Sequence, residues 1–181
     1  MKRFKVLMHC FNRIILLVFT ISLLPFSRSV ADDAHSKLVS VSSKARVITP
    51  IALENTDNQG LNFGRIAIGT TLSKIKVAPA LSVPINVVSG DATVITSVTQ
   101  KAAKFTVSGE SGKTYTITLP TTELLTYGSA QITVSNFTCS NGTGGTIGTN
   151  NLFYVGAELT VPATAIPGSY QGTFNITVAY N

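Results

Sequence analysis

With 181 residues, 12% of them charged and no tryptophan, the chain is long enough for one domain with a real core and too short for two comfortable ones. The formal net charge of +6 does not describe the part that folds: Lys2, Arg3, Lys5, Arg13 and Arg28 all precede residue 32, and residues 32–181 carry nine basic against eight acidic side chains. A near-neutral stretch rich in Asn, Thr, Ser, Gly and Val has no electrostatic case for nucleic acid or anionic lipid, and its composition is that of an all-β extracellular protein.

Residues 1–31 read as a cleaved secretory signal. Lys2, Arg3 and Lys5 form a positive start, residues 14–24 an apolar core, and Ser29, Val30 and Ala31 small residues at the cleavage positions. The apolar core is too short for a comfortable membrane span, and no later run approaches the length of one. Export is therefore expected, to the periplasm, the cell surface or the medium, with no membrane span in the mature chain. Cys10 leaves with the signal, so Cys139 cannot find an intrachain disulfide partner. Two readings of it stand open: a small apolar residue buried beside Phe137, or an intermolecular disulfide.

Residues 32–44 read as a polar N-terminal tail in which Val39 and Val41 share a parity that continues through Ala45 and Val47. A first strand is expected over 45–53, then a turn-rich segment over 54–60. Over 61–68, Leu61 and Phe63 fall on one parity, with Gly64 at a bulge or tight crossing. Further runs occupy 73–78, 82–88, 93–98, 105–107, 115–119, 131–137 and 152–160, separated by Gly, Pro, Asn and Asp clusters. From Gly168 the chain alternates: Tyr170, Gly172, Phe174, Ile176, Val178 and Tyr180 share one parity, and Ser169, Gln171, Thr173, Asn175, Thr177 and Ala179 take the other. No stretch keeps a helical apolar period. The expected fold is an all-β, immunoglobulin-like β-sandwich over 45–181, either complete or pilin-like with an incomplete strand set.

Motifs for chemistry are lacking. Gly112, Lys113 and Thr114 have the ending of a phosphate-binding loop, but Val107 stands where its first glycine belongs and a strand comes next. Residues 109–112 are expected to be a hairpin turn, and the glycine-rich 141–151 a flexible loop. His35 in the tail is the only histidine beyond the signal, and the carboxylates Glu54, Asp57, Asp91, Glu110, Glu123 and Glu158 are scattered singly. We assign no catalytic, cofactor-binding or metal-ligating residue and expect no enzyme.

Three places carry a resemblance. Ala45-Arg-Val-Ile-Thr-Pro-Ile-Ala-Leu53 followed by Leu61-Asn-Phe-Gly64 resembles the opening of an uncharacterised family of exported bacterial proteins, the domain of unknown function 4402. Phe105-Thr-Val-Ser-Gly109 with Tyr115-Thr-Ile-Thr-Leu-Pro120 is similar to its middle, and Val155-Gly-Ala-Glu-Leu-Thr-Val161 through Gly168-Ser-Tyr-Gln-Gly-Thr-Phe174 to its end. That family brings no activity with it.

The C-terminus also resembles subunits of chaperone–usher pili and the related spore-coat-U-like proteins, whose last strand opens at a glycine and carries a penultimate tyrosine; here these are Gly168 and Tyr180. The resemblance implies a sandwich lacking one strand. A periplasmic chaperone first fills the gap, an outer-membrane usher receives the subunit, and a neighbour's N-terminal extension then replaces the chaperone in donor-strand exchange. Carried over, Gly168, Phe174, Ile176, Val178 and Tyr180 form the partner-strand interface, and Val39 and Val41 anchor the donor strand. The disulfide common in such pilins has no counterpart here. The resulting expectation is a non-enzymatic structural or adhesive subunit of a surface fibre. The alternative is a self-complete secreted sandwich that binds a glycan or surface protein through its loops, with Tyr127 or residues 141–151 touching the ligand.

Overall fold

In the computed structural model, which describes residues 37–82, 86–95, 99–149 and 151–181, the fold is built outward from the strand Leu152–Val161, here β11. Phe153, Val155, Ala157, Leu159 and Val161 are buried along one parity, and Gly156 and Glu158 on the other. A backbone so enclosed needs ladder partners on both edges. β9 (Ala130–Cys139) runs along one edge, and β8 (Thr122–Tyr127) pairs with β9 beyond it. On the other edge the partner changes halfway. β6 (Ala103–Ser108) pairs with residues 152–155 and β3 (Ser73–Val77) with 157–161, flanked in turn by β1 (Ala52–Asn55) and β4 (Asn86–Ser89). All of these pairs are antiparallel. At the changeover, a Cβ on Gly156 would lie 2.1 Å from the Val77 carbonyl oxygen, so only glycine lets the two partner strands share one edge.

Opposite lies a three-stranded sheet, with β7 (Thr114–Thr118) between β10 (Gly144–Thr146) and β12 (Thr177–Tyr180), and a separate pair formed by β2 (Arg65–Ala67) and β5 (Thr93–Ile95). Two apolar clusters lie end to end on the inner face of the large sheet. One gathers Ile75, Val77, Val94, Val134 and Leu159; the other gathers Phe105, Tyr115, Ile117, Phe153 and Val155. Period-two burial keeps both on the same face of β11. On β9 the parity would fail after Val134. Asn136 takes φ 51°, the ladder with β11 shifts register there, and Phe137 and Cys139 return to the core side.

The all-β sandwich expected from the alternation is the fold observed, with several differences of extent. The first strand begins at Ala52 rather than at 45, because Pro50 has no N–H to give a ladder. Residues 109–112 do turn, with Gly112 at φ 78°, but β6 and β7 belong to different sheets, so the turn is an arch between layers and not a hairpin. The glycine-rich 141–151 contains β10, where a Cβ on Gly144 would lie 2.0 Å from the Tyr115 carbonyl oxygen; the glycines serve close strand approach. In the final segment only Thr177–Tyr180 forms a ladder, preceded by one bridge from Gln171 to Thr126. The signal expected at 1–31, His35, residues 83–85 within the expected run 82–88 and residues 96–98 at the end of the expected run 93–98 lie outside the described residues.

The chain divides into two units, Met1–Lys44 and Ala45–Asn181, the second holding every strand named above. In the first, residues 37–44 have no regular secondary structure and are exposed.

Asp91 ties the loops at one end of the sandwich. Its two carboxylate oxygens accept from the backbone N–H and the hydroxyl of both Thr70 and Thr71, at 2.6–2.9 Å. The Thr70 and Thr71 hydroxyls, followed by their backbone N–H groups, hold the Asp91 carboxyl well below the usual carboxylate range. A carboxyl whose folded pKa is depressed contributes stability that is present above its unfolded value of about 3.9 and is lost as pH falls through the folded one. Asp91→Asn is therefore expected to lower the urea midpoint at pH 7, with the gap from the unaltered protein narrowing below about pH 4. A constant gap from pH 7 to pH 2 would contradict this.

Candidate binding cleft

Over the first apolar cluster the large sheet is bordered by two segments outside the named strands, 57–64 and 165–172, and a cleft of about 1290 Å³ opens between them. Its floor is apolar: Phe63, Leu125, Ile132, Leu159 and Val161. A smaller recess of about 320 Å³, lined by Phe105, Val134, Phe137 and Phe174, adjoins it and shares Leu61, Phe63, Leu125 and Gly172.

Glycines set the position of one wall. A Cβ on Gly168 would lie 2.2 Å from the Tyr127 ring, and one on Gly172 2.5 Å from the Leu124 carbonyl oxygen. The chain can lie this close to β8 only without side chains at those two points. Between them, Gln171 and Thr126 exchange backbone hydrogen bonds of 2.8 and 3.0 Å, Tyr170 packs against Tyr127 at 5.9 Å between ring centres, and the Tyr170 hydroxyl donates to the Ile166 carbonyl at 2.9 Å. On the other wall, Asn62 and Lys101 exchange backbone hydrogen bonds of 2.8 and 2.9 Å. The buried Gln100 amide donates to the Phe63 carbonyl at 3.0 Å, and Gly64 reverses the chain at φ 80°. Arg65 and Lys101 stand along this wall, and Asp57 is paired with Lys104 at 2.6 Å. The hydrogen bond that Lys104 donates to the Asp57 carboxylate raises the Lys104 pKa above its ordinary value.

The cleft brings together some of the residues expected from the sequence and not others. Gly168 stands on its wall and Phe174 in the adjoining recess, where the Phe174 ring meets Phe137 at 5.2 Å. Ile176, Val178 and Tyr180 line neither cavity; they pack half-buried against the second apolar cluster. Val39 and Val41 are 76% and 84% exposed. Tyr127 is partly exposed behind Gly168, and the described residues of 141–151 are absent from the cleft lining. The floor residues Leu125, Leu159 and Val161 carry no sequence signal of a site, since each reads as ordinary core.

Cys139 is half-buried against the second cluster, and burial pushes its thiol up from the ordinary cysteine value. Iodoacetamide at pH 8 is expected to label it more slowly than a small-molecule thiol and to reach the free-thiol rate in urea. Equal rates in native and unfolded protein would contradict this placement.

Among the described residues no group of three or more His, Cys, Asp and Glu side chains could hold a metal ion, and no helix is long and apolar enough to cross a membrane. A family model matches residues 53–180, from β1 through β12 and across both cavities. The chain belongs to the family described as Domain of unknown function (DUF4402). The cleft therefore lies within the DUF4402 domain itself, whereas residues 37–52 precede the matched region. No curated protein and no solved structure matches the chain.

Proposed function

We propose that the protein is a non-enzymatic, exported structural or adhesive subunit of a surface fibre, which works by β-strand complementation. One observation carries the reading: an apolar-floored cleft is walled by Gly168 and Gly172, and the chain also holds an exposed N-terminal segment with an apolar row at Val39, Val41 and Val47. A partner's strand laid in the cleft would cover the half-buried Leu125, above the already buried Leu159 and Val161, and give hydrogen bonds to backbone that lies outside any ladder. In this account a periplasmic chaperone holds the cleft first, an outer-membrane usher receives the subunit, and the segment of a neighbouring copy then takes the chaperone's place. Arg65 and Lys101 beside the cleft suit the acidic start of that segment, Asp32 and Asp33.

A second reading has its own support. Phe174, Ile176 and Val178 already pack against the chain's own second cluster, closing that half of the sandwich without help. A self-complete binding module for a glycan or surface protein would look the same there.

The test is a titration of a peptide with the sequence of residues 37–51 into protein recovered from the envelope of cells expressing a variant lacking 32–44. Saturable binding that Leu125→Asp or Gly168→Trp abolishes with the domain still folded is the expected result. No binding to a cooperatively folded protein favours the self-complete module.

A further inference from the structure

The penultimate residue does something that its place in an alternating strand does not require. The Tyr180 hydroxyl accepts from the Glu110 backbone N–H at 2.7 Å, in the arch between β6 and β7, and donates to the Thr49 carbonyl at 2.8 Å. A Cβ on Gly109 would lie 2.3 Å from that hydroxyl, so the glycine keeps its place open. The Glu110 carboxylate in turn pairs with Arg46. One tyrosine and one glutamate on the sandwich thus hold residues 46 and 49 of a segment that has no regular secondary structure from 45 to 51. Between the two holding points Val47 is 96% exposed and Ile48 45% exposed. Ordered ladder begins only at Ala52.

A segment of this kind, with apolar side chains in water and few bonds to the body, opens at low free energy. Its opening also has a consequence. Val39, Val41, Ala45 and Val47 share one parity. While residues 46 and 49 are held, the row free to enter a partner's cleft stops before Ala45. Once they are released, Ala45 and Val47 join it, doubling the number of side chains that can fill pockets.

We propose that Tyr180 and Glu110 form a latch on residues 45–51 that sets how much of the N-terminal segment a partner can take up. This regulation rests on the strand-complementation reading, but the latch can be tested apart from it. Full-length protein is expressed, recovered from the envelope and treated briefly with trypsin. Cleavage after Arg46 is compared with cleavage after Lys37, an exposed internal reference beyond the latch. Cleavage of a transiently open segment tracks the open population. Tyr180→Phe removes both hydroxyl bonds and Glu110→Gln weakens the pair with Arg46. Each is expected to raise the ratio of Arg46 to Lys37 cleavage roughly two- to tenfold, the scale of one lost hydrogen bond, with the thermal transition still cooperative. Glu110→Gln keeps the tyrosine in place and guards against a Tyr180→Phe that fails to fold. An unchanged ratio in folded Glu110→Gln and Tyr180→Phe proteins overturns the latch. A raised ratio with faster formation of heat-labile multimers supports the latch and its regulatory role. A raised ratio with no multimers from any version keeps the latch and removes the assembly reading on which its role depends.

Discussion

Phe153→Ala is expected to lower the unfolding free energy by about 3–5 kcal/mol, the cost of deleting a fully buried aromatic ring. Phe153 is entirely buried at the start of β11, and its ring stacks on Phe105 of the neighbouring strand with 5.5 Å between centres and 22° between planes. Tyr115 and Ile117 of the opposite sheet belong to the same cluster, so the cavity would open between the two layers rather than at a flexible margin. Little can collapse into it, because Gly156, three residues along, fixes where β6 gives way to β3 on the edge of β11. Urea unfolding followed by far-ultraviolet circular dichroism measures the effect. A loss below about 1 kcal/mol would mean that the layers are not packed as described.

The second large effect concerns the N-terminal segment. Val39→Asp with Val41→Asp removes the two apolar side chains that the strand-complementation account places in a neighbour's cleft. Each buried valine contributes about 1.5–3 kcal/mol, so losing both is expected to weaken association roughly a hundred- to ten-thousandfold. Both residues are exposed in the isolated chain, so the same variant should leave the thermal transition of the monomer unchanged. Size-exclusion chromatography coupled to light scattering reads the first quantity and calorimetry the second. Association as strong as in the unaltered protein would assign the cleft to some other occupant.

Much of this architecture was legible in the sequence because burial has a period. Residues 73–78, 115–119 and 152–160 alternate or run apolar, and the strands found there end within a residue or two of those bounds. The parity of Tyr170 through Tyr180 also holds at every position but Gly172: Tyr170, Phe174, Ile176, Val178 and Tyr180 are half-buried, and the residues between them, like Gly172, are exposed. Three features were not legible. β8 has no clear alternation because Leu124 and Leu125 are adjacent, and only the fold decides that Leu125 turns inward while Leu124 is left 47% exposed. β10 was hidden in glycine, whose lack of a side chain reads as looseness in a sequence and serves close approach to Tyr115 in the structure. The cleft itself was half visible. Gly168 stands out in the sequence as the opening of a strand, yet its physical role is to admit the Tyr127 ring, from a strand more than thirty residues earlier. The facing wall at Asn62 and Lys101 depends on pairings across the chain that no local pattern carries.

The central claim is that a second copy's N-terminal segment fills the cleft between Gly168 and Leu61. An unheated and a boiled sample of envelope-extracted protein, run side by side on a denaturing gel with and without residues 32–44, test it most directly. A ladder of multimers that survives detergent, collapses on boiling and vanishes with the deletion is the predicted result. A single monomer band in every lane, from protein that unfolds cooperatively in solution, would contradict it.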